Sequence, residues 1–431
     1  MCMAEPGDTV NIHTTEETIT GTLMPEEKNF VVVKLDTGYN IGISKKNIKQ
    51  IQVIHSKKEK KPITLKIEIQ KNLPTISILH TGGTIASKVD YTTGGVIARF
   101  TPEEILSLFP ELKEVANVNS RLVSNMWSQD MRFNHYNILI KEIEKEIKKG
   151  TQGIIITHGT DTLHYTSAAL AFAVQNSPIP IILAGSQRSS DRGSTDGALN
   201  LLCAAHFITH TSFAGIAVCM HESTNDDTCV ILPATKCRKM HTSRRDAFQA
   251  INTTPWARII YHEKRTDFLK TDYPKRKNQQ PTITFFKENI KIGILKQHTH
   301  MYEEEYSHYE NYDGIVIEAT GLGNLPTTEI DEHTKEHTKI FKILQHLAKK
   351  MPIVLAPQTI YGMLNLNVYE NQLKLQEIGI LGNLSDMTPE TTFIKLAWLI
   401  SNYTKEQTKE LITKNLVGEI SETSEHTPQL K

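Results

Sequence analysis

Along the chain, the spacing of apolar residues changes character twice. From Asp8 to about Ile54, short runs rich in Thr, Val and Ile alternate with turn residues, and LDTGYN (Leu35 to Asn40) carries a hairpin signal. This pattern predicts a small β-barrel of the SH3-like kind. HSKKEKKP (His55 to Pro62) is charged and ends in proline, so it reads as a solvated linker, and the first domain with its linker is assigned to residues 1–70.

Beyond the linker, buried-strand runs alternate with helical patterns. The runs are TISILH (Thr75 to His80), GIIITH (Gly153 to His158), IPIILAG (Ile179 to Gly185) and GIAVCM (Gly215 to Met220). Between them NHYNILIKEIEKEIKKG (Asn134 to Gly150) places apolar residues at helical spacing and closes on lysines and a glycine, as a helix C-terminus does. Strand–helix alternation implies a parallel sheet, which assigns residues 71–290 to an α/β domain. After a polar, proline-containing stretch the pattern restarts with IGIL (Ile292 to Leu295), GIVIEATG (Gly314 to Gly321) and PIVLAPQ (Pro352 to Gln358), a second, smaller α/β domain over residues 291–431. The polar tail after about Gly418 is expected to fray.

Composition narrows the class without naming a chemistry. With 39% hydrophobic and 22% charged residues over 431 positions, the chain has ordinary globular usage and room for two or three domains. Its 48 basic and 48 acidic residues cancel, so no global field draws it to nucleic acid, and any RNA contact must be local or delegated. No run approaches the roughly 20 apolar residues of a membrane span, and MCMAEPGDTV has no signal region, so a cytoplasmic location is expected. Five cysteines without C-x-x-C spacing argue for reduced thiols over a disulfide framework or a zinc ribbon.

Two glycine-rich turns follow buried strands, at the strand ends where α/β enzymes keep their chemistry. In TGGTIAS, Gly82 and Gly83 allow a tight turn and close backbone approach, and leave Thr84 at the mouth. A threonine hydroxyl is a weak nucleophile until a base takes its proton; a phosphate-cradling loop or a plain turn fits the same residues. In THGTDT (Thr157 to Thr162), Thr160 and Asp161 can relay a proton or hold an amine, or they can cap the helix that LHYTSAALAFAV predicts. Lys239 in KCRKMHTSRRDAF is the candidate base, with Lys236 its rival; the same segment also reads as a basic surface for RNA phosphates. Ser128, Gln129 and Asp130 in NMWSQDM suit a zwitterion. His298, His300 and the following glutamates read as a solvated acidic face or a subunit contact more readily than as a metal site, and His158 as a locally bonded residue.

The segments ILHTGGTIAS, YTTGG (Tyr91 to Gly95) and ITHGTDTLHYTSAALA together resemble the L-asparaginase superfamily from about residue 75 to 400. The added N-terminal domain, RKMHTSRRDAF and SQRSSDR resemble, within it, the D subunits of archaeal glutamyl-tRNA(Gln) amidotransferases. The resemblance implies an asparaginase-like two-domain core and a catalytic set of Thr84 as nucleophile, Thr160, Asp161 and Lys239 as triad, and Tyr91 on a lid. It implies substrate binding by Gly83, Ser128, Gln129, Asp130 and Gly159, while Arg188, Asp191 and Arg192 are expected as structural ion-pair partners. It further implies glutamine hydrolysis through an acyl-threonine, with no cofactor or metal on this chain. The ammonia would pass to a larger E subunit that uses ATP and Mg²⁺ to amidate Glu-tRNA(Gln). A homodimer within a heterotetramer is expected, with tRNA held mainly by the partner. The alternative is a stand-alone cytoplasmic L-asparaginase; a catalytically silent scaffold is disfavoured because every catalytic position is occupied.

Overall fold

The computed structural model describes residues 4–25, 27–35, 39–56, 70–83, 87–89, 96–98, 110–189 and 194–423. Strands β1 (Thr9–Thr14), β2 (Thr18–Leu23), β3 (Phe30–Lys34), β4 (Asn40–Ser44) and β5 (Ile48–His55) form an antiparallel sheet in the order β4-β3-β2-β1-β5. Alternation turns Val10 and Ile12 inward, and Leu23, Val31, Val33 and Ile43 complete a small core. The β3–β4 register, Val33 opposite Ile41 and Lys34 opposite Asn40, sets the expected hairpin. Among the described residues β4 and β5 do not pair, so in hydrogen-bonding terms the expected barrel is an open five-stranded sheet.

The central sheet is built from β6 (Thr75–Gly82), β7 (Asn117–Met126), β8 (Ile154–Thr157), β9 (Pro180–Ala184) and β10 (Gly215–His221). These run parallel in the spatial order β7-β6-β8-β9-β10. Successive side chains enter opposite cores: Ile154, Ile156, Ile181 and Leu183 face one, Ile155, Ile182 and Ala184 the other. That is why these strands read as continuous apolar runs; burying each large aliphatic side chain contributes about 1.5–3 kcal/mol. Helices α1 (Phe133–Lys148) and α2 (Leu163–Ala173) cover the first face, and α3 (Gly197–His210) covers the second. On α1 the apolar stripe Tyr136, Leu139, Ile140 and Ile143 is buried at the spacing the sequence shows.

One departure concerns strand direction. Beyond β10 the sheet continues with β11 (Thr228–Pro233), and after the separate ribbon of β12 (Cys237–Lys239) and β13 (Phe248–Ala250), with β14 (Ala257–Ile260) and β15 (Arg265–Phe268). β11, β14 and β15 run antiparallel to their neighbours, extending the parallel core into a meander. The β10–β11 and β14–β15 connections are too short for a parallel crossover, and β11 reaches β14 through the β12–β13 ribbon with no covering helix.

The C-terminal sheet has three parallel strands in sequence order, β16 (Ile292–Lys296), β17 (Gly314–Ala319) and β18 (Ile353–Pro357). Helix α4 (Glu336–Lys350) packs its Ile340, Leu344 and Leu347 into this sheet's own core, whereas α5 (Pro389–Asn402) joins the large core. Trp398 of α5 stacks on Phe172 of α2 with centroids 5.5 Å apart. The expected fraying past Gly418 does not occur through Thr423. Glu419 is fully buried, paired with Lys395 at 2.6 Å, and Ser421 bonds Asp386 and Lys236. A tail that reads as polar is thus held because its charges are paired inside. Among the described residues no helix is long and apolar enough to cross a membrane.

Candidate functional site

The carboxyl ends of β6, β7 and β8 converge because glycines let their turns touch. Gly83 follows β6 at φ +77°, and a Cβ there would lie 2.4 Å from the backbone nitrogen of Gly159. A Cβ on Gly159 would in turn lie 2.8 Å from both Cβ and Oγ of Ser128. Any side chain at either position would push the first and second glycine turns, or the Ser128 turn, apart. The three motifs read separately in the sequence therefore form one wall.

They enclose a cavity of about 190 Å³. Gly83, Ser128, Gln129, Gly159, Thr160, Asp161 and Lys239 line it, each a position expected from the sequence. Trp127, Gln187, Thr242 and Ser243 complete the lining. Asp130 sits on the same short turn but does not line the cavity. Thr84 and Tyr91 lie outside the described residues, as do Asp191 and Arg192. The flanks of the Tyr91 segment, Ser87–Val89 and Val96–Ala98, pair antiparallel.

Lys239 ends β12, and its ammonium reaches across to the second turn. Nζ donates to Thr160 Oγ1 at 2.9 Å and to Asp161 Oδ1 at 2.8 Å. Only 11% of the Lys239 side chain is exposed against 65% of Asp161, so the cation is held inside while the carboxylate opens to solvent. Helix capping does not use these side chains: Thr162 directs its hydroxyl to the Ser128 carbonyl at 2.6 Å, and neither Thr160 nor Asp161 caps α2. Lys236 turns away, its Nζ donating to Asp386 Oδ2 at 2.5 Å and to Ser421 Oγ at 2.7 Å. Arg238 likewise leaves the cavity for Glu390, at 2.8 Å.

Behind the wall lie neutral imidazoles. His158 Nδ1 donates to the Gly159 carbonyl at 2.7 Å, leaving Nε2 to accept from Thr166 at 2.9 Å. His80 bonds Thr157 and Ser120 through its two nitrogens at 2.8 and 2.6 Å. Burial lowers the pKa of each from 6.5 to about 4, so both are uncharged supports of the turn backbone. His158 is therefore a packing and hydrogen-bonding residue of the turn.

Of the four lining residues outside the expected set, Gln187 is the one that meets the Thr160 hydroxyl. It follows β9 in AGSQ, and its Oε1 lies 3.5 Å from Thr160 Oγ1. Buried Asp196 holds that turn by accepting from the backbone N–H of Gln187 and Arg188 and from the Ser186 hydroxyl. The available signal was positional: parallel strand ends line sites in such folds, and β9 is the next strand end along the sheet.

Elsewhere, His298 pairs with Glu305 at 2.9 Å and His300 with the Tyr302 hydroxyl at 3.0 Å. Among the described residues no group of three or more His, Cys, Asp or Glu side chains is arranged to hold a metal ion. Cys203, Cys219, Cys229 and Cys237 are buried free thiols.

Known proteins share both this architecture and its order of domains. Three family descriptions match in succession: GatD N-terminal domain over residues 4–54, Asparaginase, N-terminal, over 75–273, and Glutaminase/Asparaginase C-terminal domain over 291–412. The chain is 40% identical over 431 aligned positions to the D subunit of the glutamyl-tRNA(Gln) amidotransferase of Pyrococcus furiosus, covering 97% of this chain and 95% of that one. It is 38% identical to the protein of the same name from Methanococcus maripaludis strain C5, covering 96% and 98%. Among solved structures, the thermostable L-asparaginase from Thermococcus kodakarensis aligns with a TM-score of 0.71 at 27% identity, covering 81% of this chain and all of that one. L-asparaginase I from Vibrio cholerae shares the fold, with a TM-score of 0.69 at 23% identity over 81% and 99%.

Proposed function

This chain belongs to the family of glutamyl-tRNA(Gln) amidotransferase D subunits, and on that premise we propose that it is the glutamine-hydrolysing component of a tRNA-dependent amidotransferase. One observation carries the chemistry: an inward ammonium, Lys239, bridges Thr160 Oγ1 and Asp161 Oδ1 in a cavity walled by Gly83, the residue before Thr84. The full-length likeness, including the N-terminal 4–54 match, supports this reading over a stand-alone L-asparaginase.

In the proposed reaction the Thr84 hydroxyl attacks the side-chain carbonyl of glutamine. The tetrahedral intermediate collapses with loss of ammonia to an acyl-threonine, and water then releases glutamate and restores the hydroxyl. The Thr160–Asp161–Lys239 group manages protons. Lys239 gives one proton to water beside the solvent-open Asp161, then as the neutral amine takes the Thr84 hydroxyl proton through Thr160 and returns it to the leaving nitrogen. Ser128, Gln129 and Asp161 offer the polar contacts for the amino-acid end. ATP and Mg²⁺ act on the partner, an E subunit that activates glutamate on tRNA and receives the ammonia.

The test is ammonia release from glutamine and from asparagine by the purified chain, alone and with E subunit, Glu-tRNA(Gln), ATP and Mg²⁺. Slow glutamine hydrolysis that accelerates with all four present is the expected result. Full-rate asparagine hydrolysis indifferent to partner and tRNA would replace this reading with the stand-alone asparaginase. Thr84→Val, nearly isosteric and lacking only the hydroxyl, should abolish hydrolysis of both amides while leaving the unfolding transition in place.

A further inference from the structure

We infer that Arg245 is a positioning residue: it clamps the loop 240–247 against the cavity so that Thr242 and Ser243 meet the bound amide; this rests on the amidase reading above. Thr242 and Ser243 line the cavity together with Gly83, Gly159 and Lys239, yet their loop has no apolar anchor, since residues 240–244 are all exposed. Its base is closed by the Met240 N–H, which donates to the Ala247 carbonyl at 2.6 Å. Its tip is folded by His241 Nδ1, which accepts from the N–H groups of Ser243 and Arg244 at 3.1 Å each. Arg244 turns its guanidinium back to Asp246, Nε to Oδ1 at 2.9 Å, within the same loop. These bonds shape the loop without fixing it to the rest of the molecule.

Arg245 reaches out of the loop. Nη1 donates to Asp226 Oδ2 at 2.7 Å and to the Thr224 carbonyl at 3.2 Å, and Nη2 donates to the Ser194 carbonyl at 2.7 Å, with 12% of the side chain exposed. Charge-assisted bonds from a planar fork fix direction as well as distance. The receiving side is itself anchored. Asp226 Oδ1 lies 3.1 Å from His221 Nε2, and His221 Nδ1 lies 2.7 Å from Asn200 Oδ1. Asn200 Nδ2 donates to the Gly185 carbonyl at 2.9 Å, just past the end of β9. His221 and Asn200 are fully buried, so the loop and the turn that carries Gln187 hang from one buried frame.

Lys239 does not depend on that clamp. It sits opposite Phe248 in the β12–β13 ribbon and donates to Thr160 and Asp161. Releasing Arg245 therefore frees the two lining hydroxyls and leaves the proton-transfer group in place. The loss falls on substrate binding, which raises KM, and not on the chemical step.

The experiment compares the full-length wild type with Arg245→Met, Arg245→Lys, Asp226→Ala and, as a control in the same loop, Arg244→Met. It measures KM and kcat for glutamine and asparagine and the unfolding temperature. It also measures tryptic cleavage after Arg244 in wild type and Asp226→Ala, whose loop sequences are identical. The inference requires KM to rise roughly tenfold or more in Arg245→Met, with kcat within about threefold of wild type. Arg245→Lys, which keeps a cation for Asp226, should have a KM roughly threefold or more below that of Arg245→Met. Asp226→Ala should raise KM and speed tryptic cleavage about fivefold, because local opening exposes the backbone. Arg244→Met should leave both kinetic constants unchanged. A fall in kcat at constant KM, an unchanged KM in Arg245→Met, or a lysine variant no better than the methionine variant would overturn the inference. If Arg245→Met fails to fold, Asp226→Ala and Arg245→Lys decide: a raised KM supports the clamp and an unchanged KM in both overturns it. A wild type that hydrolyses neither amide overturns the amidase reading instead, and the tryptic rates then decide the clamp alone.

Discussion

Lys236 and Lys239 lie in one short segment and each donates to an aspartate, yet the two ion pairs inhabit different regions. Lys236 and Asp386 are both buried, 6% and 2% exposed, and join the turn after β11 to the C-terminal region. Lys239 is sheltered but its partner Asp161 is open to solvent, and the same ammonium also touches a hydroxyl in a cavity. A closed pair with satisfied neighbours has nothing left to do but hold two segments together. The open pair leaves its carboxylate in solvent and its ammonium against the cavity lined by Gly83 and Gly159. Each ammonium also donates to a hydroxyl, Ser421 for Lys236 and Thr160 for Lys239, so what separates the two pairs is the solvent access of the carboxylate.

The sharpest break in that comparison is exchange of the lysines one at a time. Lys239→Met should lower amide turnover by roughly a thousandfold or more with little change in KM, since the lost proton transfer acts in the transition state. Steady-state rates with the unfolding temperature measured alongside check this. If turnover survives while Lys236→Met abolishes it, the assignment of the two lysines is reversed.

Lys236→Met should act on the fold instead. Removing one partner of a buried pair leaves Asp386 uncompensated, at a cost of about 3–5 kcal/mol, while folded molecules keep turnover within a few-fold of wild type. Urea unfolding followed by fluorescence measures the first, and active-site-normalised rates the second. A stability loss below about 1 kcal/mol would place Lys236 with ordinary surface ion pairs.

The neutral imidazoles behind the site predict a smaller effect, spread over pH. His80, His158 and His164 have pKa values lowered by burial from 6.5 to about 4. Between those values the unfolded chain binds more protons than the folded one, so stability is full above pH 6.5 and falls as pH drops through the window toward 4. Each histidine adds a slope of at most about 1.4 kcal/mol per pH unit. Urea midpoints at pH 7 and pH 5 should differ accordingly, and His164→Gln should flatten the dependence by about one proton. A midpoint that does not move between these pH values contradicts the burial argument.

The smallest expected change in hydrolysis comes from deleting residues 1–70. The five-stranded sheet carries its own core, Val10, Ile12, Val31 and Val33 among it. The truncated chain should therefore retain cooperative unfolding and the basal glutamine rate within about twofold, while complex formation or transamidation is lost. Loss of the fold itself would place the domain boundary elsewhere.

Much of this molecule is legible one segment at a time. The apolar runs ending at His80, Thr157 and Ala184 declare doubly buried parallel strands, because hydropathy along a strand directly reports what covers its two faces. The glycines at 83 and 159 mark the turns, since a missing Cβ is a local property that packing must respect. What no segment carries alone is which distant groups meet. The choice between Lys236 and Lys239 depends on Asp386 and Asp161, far apart in the chain and brought to opposite sides of one turn. The same holds for Glu419, a polar tail residue until Lys395 buries beside it, and for Gln187, an unremarked loop amide until β9 sets it against Thr160. The antiparallel turn of β11, β14 and β15 also stayed hidden, because strand direction is set by connection geometry and not by residue hydropathy. Periodicity and backbone freedom are written within a few residues, whereas the value of a charge or an amide depends on the solvent and partners that tertiary packing assigns to it.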